Sequence, residues 1–101
     1  MTDLSDSLRE SLSASVFEPH VGRPFVLWRG STSVAVTLGA VERVGGSDDS
    51  FALVFDAPER LEQGTYPVEH AEVGRMALFL VPVAQGAHGV TMEAVFNRAA
   101  R

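Results

Sequence analysis

Two apolar runs joined by a short Gly-bounded segment, Arg75–Phe96 (RMALFLVPVAQGAHGVTMEAVF), constrain this chain more than any other stretch. In the first run, Met76–Val81 is apolar at odd and even positions alike, the pattern of a strand covered on both faces. The second run alternates: Val90, Met92, Ala94 and Phe96 share one side, and Thr91, Glu93 and Asn97 the other. Five residues, Gln85–Gly89, lie between them, a length that suits a hairpin loop. The pattern predicts a central strand at Arg75–Val83 paired with an outer strand at Gly89–Phe96. Cover for the central strand must then come from the residues before it.

Upstream, Leu4, Leu8 and Leu12 recur at i, i+4 and i+8 among Ser, Asp, Arg and Glu, which predicts one amphipathic helix over residues 3–15. A helix this short is marginal alone in water, so its stripe must dock on its own barrel or on another chain. Pro19, Gly22 and Pro24 end that helix and turn the chain, with Phe17 and Val21 as anchors of the corner. Strands follow at Phe25–Arg29, Val34–Val44, Phe51–Phe55 and Thr65–His70. Val34, Val36 and Leu38 share one face of the longest strand, and Gly39 on the other marks a bulge or tight bend. Leu61 is placed to plug one end of the core, and Tyr66 to close it with its hydroxyl at the rim. Pro67 restricts its strand to an edge or to pairing on one side.

Charge and composition narrow the function classes. The 101 residues carry a net charge of −5, and all eight basic residues are Arg, spread along the chain. Nucleic acid and anionic membrane surfaces call for clustered positive charge, which this sequence lacks. There is no Cys, so disulfides, thiolate nucleophiles and Cys-based metal sites drop out. The first residues carry acids and serines where a secretory signal has positive charge and an apolar run, and no stretch reaches the roughly 20 apolar residues of a membrane span. Cytoplasmic synthesis without membrane insertion is the expectation, with the final compartment open to incorporation in an exported or phage-like particle.

Motifs that carry chemistry are missing. His20, His70 and His88 stand in no HxH or HExxH spacing, and Glu69 and His70 point to opposite faces of one strand. No Ser occupies a GxSxG elbow, no Gly-rich loop carries a Lys, and Asp48-Asp49 lacks calcium-loop spacing. The expectation is a chain that is not an enzyme and holds no cofactor or metal. Trp28, the only Trp, is either a structural cap of its strand or an interface anchor.

In order and spacing, Phe17-x-x-His20-Val21-Gly22-x-x-Phe25, Leu53-x-Phe55-x-x-Pro58, Gln63-Gly64-x-Tyr66-x-x-x-His70, Leu78-Phe79-Leu80-x-Pro82-Val83 and Phe96-Asn97 resemble a family of small bacterial proteins known only as a domain of unknown function. The resemblance spans residues 17–97. It implies a small all-β domain and brings no catalytic residues with it. It also implies a neighbourhood of phage-tail-collar-like fibre proteins.

These readings combine into an all-β fold: a small antiparallel barrel or rolled sandwich of about six strands, with one short N-terminal helix. Residues 1–16 form the helix and residues 17–101 the barrel domain. The expected role is a non-catalytic structural or interaction module, with an accessory subunit of a tail-like or extracellular fibre assembly as its sharpest form. A barrel that binds a small molecule or carbohydrate is the alternative. The expected partner is protein, either another copy or a larger chain, and the candidate contact residues are Leu4, Leu8, Leu12 and Trp28.

Overall fold

A computed structural model of the protein describes residues 12–86 and 89–97. Its strands are β1 (Pro24–Arg29), β2 (Thr32–Arg43), β3 (Ser50–Ala57), β4 (Gly64–His70), β5 (Gly74–Gly86) and β6 (Gly89–Asn97). They close into an antiparallel barrel in the order β1-β2-β3-β6-β5-β4. Of the two architectures expected, the barrel is the one formed. The period-two pattern sets the facing. Phe25, Val36, Leu38, Leu53, Phe55, Val68, Leu78, Leu80, Met92 and Phe96 all lie in one buried core, as alternation requires of strands with one wet face.

Two irregularities bend the sheet. The register shifts between Leu38 and Ala40, at Gly39, and again between Pro82 and Ala84. Extra residues at these points raise the local twist and let a six-stranded sheet close. The β1–β4 seam that completes the barrel is short, with only Val26↔Glu69 and Leu27↔Val68 paired. Pro67, which has no N–H to give, stands just beyond those pairs.

One end of the barrel is closed by the chain that enters it. Ser13, in extended conformation, precedes a short helix α1 (Ala14–Phe17), and a 3₁₀ turn at Glu18–His20 continues it. Phe17 is buried against Phe51 and Phe96, which stack at 4.6 Å. Leu12 and Ala14 are buried beside it. Leu61 fills the core from the loop between β3 and β4.

Several sequence expectations need correction. β4 pairs with β1 as well as β5, so Pro67 does not confine it to an edge or to one side. Among the described residues, Leu12 and Ser13 are not helical and α1 begins at Ala14, with the extended Ser13 as its N-cap, so the expected helix does not run unbroken through residue 15. The rest of the expected helix lies outside the described residues. Val21 is 44% exposed, so Phe17 alone anchors the corner. β5 is covered on one face only: Met76, Leu78 and Leu80 point inward, while Ala77 and Phe79 face outward and are exposed. The β5–β6 pairing also runs on to Gly86↔Gly89, so the connection is tighter than the five residues read from the sequence.

Candidate functional site

Two regions stand apart from the packed interior: the outer face of the β4–β5–β6–β3 sheet and the capped end of the barrel.

The outer face follows from register. Phe79 on β5 lies across from Thr65 on β4, Val81 pairs with Glu93 on β6, and Val95 on β6 pairs with Ala52 on β3. Ala77 lies across from Pro67, and Val54 from Glu93. Outward-pointing positions of four neighbouring strands therefore build one apolar strip. Phe79 is 52% exposed and Val95 67%. A groove of about 380 Å³ runs between Ala77, Phe79 and Val81 on one side and Glu93 and Val95 on the other, with Thr65 at its edge. Val83, half exposed, stands at the second bulge. Charge flanks the strip: Arg75, with Glu69 across from it, stands at one end of β5, and Glu93 stands beside Val81 towards the other.

At the capped end, polar groups fasten the cap on two sides. Arg43, near the end of β2, donates from Nε and Nη2 to the two carboxylate oxygens of Glu18, each at 2.9 Å, and from Nη1 to Asp48 at 3.0 Å. Asp48 also accepts the backbone N–H and hydroxyl of Ser15 at 2.9 and 2.8 Å. The Arg43 hydrogen bonds hold Glu18 below the usual carboxylate value. Those from Ser15 do the same for Asp48. On the other side, the rings of His20 and His70 meet at 4.4 Å, and His70 lies 4.6 Å from Phe25.

The residues singled out from the sequence fall differently. Leu12 is buried in the core of its own barrel, so its side chain faces inward. Leu4, Leu8 and His88 lie outside the described residues. Trp28 is half-buried, and its Nε1–H donates to Glu69 Oε1 at 2.7 Å across the short β1–β4 seam. The Tyr66 hydroxyl donates to the Glu62 carbonyl at 2.6 Å, so this side chain packs on the core with its polar end at the rim. Sequence reasoning passed over Phe79 and Val95 as a pair. The signal lies in the continuous apolar run of β5, a pattern that ordinarily means burial on both faces.

A family model described as Domain of unknown function (DUF6916) matches residues 12–96. The chain belongs to that family. The DUF6916 match takes in the cap from Leu12 onward together with the barrel. No curated protein and no solved structure matches the chain. Among the described residues no helix is long and apolar enough to cross a membrane.

Proposed function

We propose that this protein is a non-catalytic interaction module that associates with a second copy of itself through the outer β4–β5–β6–β3 face. The observation that carries the reading is the exposure of Phe79 and Val95 side by side on a sheet whose interior is already filled by its own side chains. Contiguous exposed apolar surface of this kind marks association sites on soluble proteins. The packed core leaves the outer surface, not the lumen, as the place for recognition, which favours association over an enclosed small ligand.

The occupant follows from charge. A two-fold axis lying in the interface and perpendicular to the strands would stack two such faces with Phe79 and Val95 at the centre. It would also bring Arg75 of each copy towards Glu93 of the other. A structural subunit within a tail-like or extracellular fibre assembly is the sharper form of this proposal, and it rests on the family resemblance.

Sedimentation of the wild-type chain and of Phe79→Asp and Val95→Asp, each at low and high micromolar concentration, tests the reading. A wild-type dimer that both substitutions convert to a folded monomer is the expected result. A wild-type chain that stays monomeric at high concentration overturns self-association.

A further inference from the structure

The contact between His20 and His70 bears on conformation rather than on association. His20 belongs to the 3₁₀ turn of the cap, and His70 ends β4, where the chain turns into β5. Their rings meet at 4.4 Å, and His70 rests on Phe25, itself buried and edge-on to Phe55. His70 Nδ1 accepts the backbone N–H of Glu72 at 3.0 Å. A neutral imidazole has one nitrogen with a lone pair and one with a hydrogen. With the lone pair on Nδ1, the hydrogen of His70 is on Nε2.

That tautomer has two consequences. While the turn is closed, His70 has no lone pair to offer a metal ion. Among the described residues no group of three or more His, Cys, Asp or Glu side chains gathers that could hold one. The second consequence concerns protons. The next proton that His70 binds must enter at Nδ1, where the Glu72 N–H already points, so an accepted hydrogen bond becomes two facing donors.

We propose that the His20–His70 contact is an acid-sensitive latch, which holds the cap to the β4–β5 turn while the His70 ring is neutral and releases it when that ring takes up a proton. The charged groups around the pair shape this response. On the cap side stand His20 and Arg23, and both oppose a charge on His70. On the turn side Glu72 favours it. Glu69 points to the opposite face of β4 and accepts from Trp28, and Arg75 lies across from it on β5. Burial against the core is the largest effect that lowers the His70 pKa, followed by the charge of His20.

The direction of the pH effect follows. A histidine with a lowered folded pKa binds its proton more readily once released. The latch is therefore fully closed above the free histidine value of about 6.5, and it weakens as pH falls from there towards the folded value. The window begins at the free histidine value, above the ordinary carboxylate range, and Glu18 and Asp48 on the other side of the cap are held lower still.

Nitrogen NMR of the wild-type chain, with amide exchange followed from about pH 7.5 to about pH 5, tests the latch. His70 should show the Nε2–H tautomer at neutral pH and titrate below His values in unfolded peptides. Protection of the Glu72 and Gly22 amides should fall about tenfold for each unit separating the free and folded pKa values. The double variant His20→Phe with His70→Asn keeps a ring in the cap and an acceptor in the turn but titrates at neither position, and its protection should stay flat. A His70 that titrates at or above the peptide value, or protection that does not change with pH in the wild type, overturns the latch. The wild-type titration decides alone if the double variant does not fold.

Discussion

At the scale of single residues, the core divides into positions that fill space and positions that permit close approach. Phe55 is buried and meets Phe25 edge-on at 5.5 Å, and Leu80 is buried on β5, one strand beyond β6. Truncating either to Ala removes contacts that its neighbours cannot replace, with an expected loss of about 2–5 kcal/mol in urea unfolding. Gly89 works in the opposite sense. A Cβ there would overlap the carbonyl oxygen of Ala57 on the neighbouring strand, and backbone cannot swing aside as a side chain can. Gly89→Ala should therefore cost about 1–3 kcal/mol, the usual range for an overpacked site, although Ala is the better residue on propensity grounds. The facing of Phe55 and Leu80 could be read from alternation alone. The Gly89 constraint could not, because it depends on how near β3 comes to β6, a distance that only the closed barrel defines. The same holds for His20 and His70, which are fifty positions apart in the sequence and carry no shared spacing.

At the scale of elements, strands were legible where turn signals bounded them, and errors arose where one local rule was applied outside its reach. An unbroken apolar run such as Met76–Val81 in a sheet usually means two buried faces. Here Met76, Leu78 and Leu80 fill the core, while Ala77 and Phe79 are left to the surface. The Leu4–Leu8–Leu12 spacing pointed to a helix through residue 15, yet helix propensity at Leu12 and Ser13 is overridden by burial of Leu12 and by the extended Ser13 cap. The short α1 segment is held by tertiary contacts, as its length requires. Phe17→Ala should cost about 3–5 kcal/mol, because this ring joins Phe51 and Phe96 beneath the cap. The Arg43 cluster should respond to acid in its own window. Glu18 and Asp48 have lowered pKa values, so their contribution is complete above the ordinary carboxylate values of 4.5 and 3.8 and disappears as pH falls through the lower folded values. Amide exchange in the cap should therefore show two acid steps, the first beginning at the free histidine value and arising from His70, the second from the carboxylates. Arg43→Gln should remove the second step and leave the first; one merged step in the wild type would show that the two clasps are not separate.

At the scale of the whole molecule, the proposed self-association rests on the exposed strip over a filled interior, and the placement of charge gives the proposal a register that can be tested. Any apolar strip can stick, but only a two-fold pairing places Arg75 of one copy near Glu93 of the other at both ends of the contact. Arg75→Glu should therefore weaken the dimer, since it sets like charges against each other twice per interface. Glu93→Arg should do the same by itself. Combined in one chain, the two substitutions exchange the ends of the strip and restore opposite charges across the interface, so the double variant should recover most of the lost affinity. Each exposed pair is worth at most about 1 kcal/mol, and two symmetry-related pairs give a change of about one to one and a half orders of magnitude in Kd. Added salt should shrink the difference between single and double variants while leaving the contribution of Phe79 and Val95 in place, because screening acts on charges and not on apolar burial. Sedimentation at low and high ionic strength reads all four proteins. If the single variants weaken the dimer and the double variant does not recover, the two residues contribute separately and the proposed two-fold register is wrong, even though the face itself remains the contact.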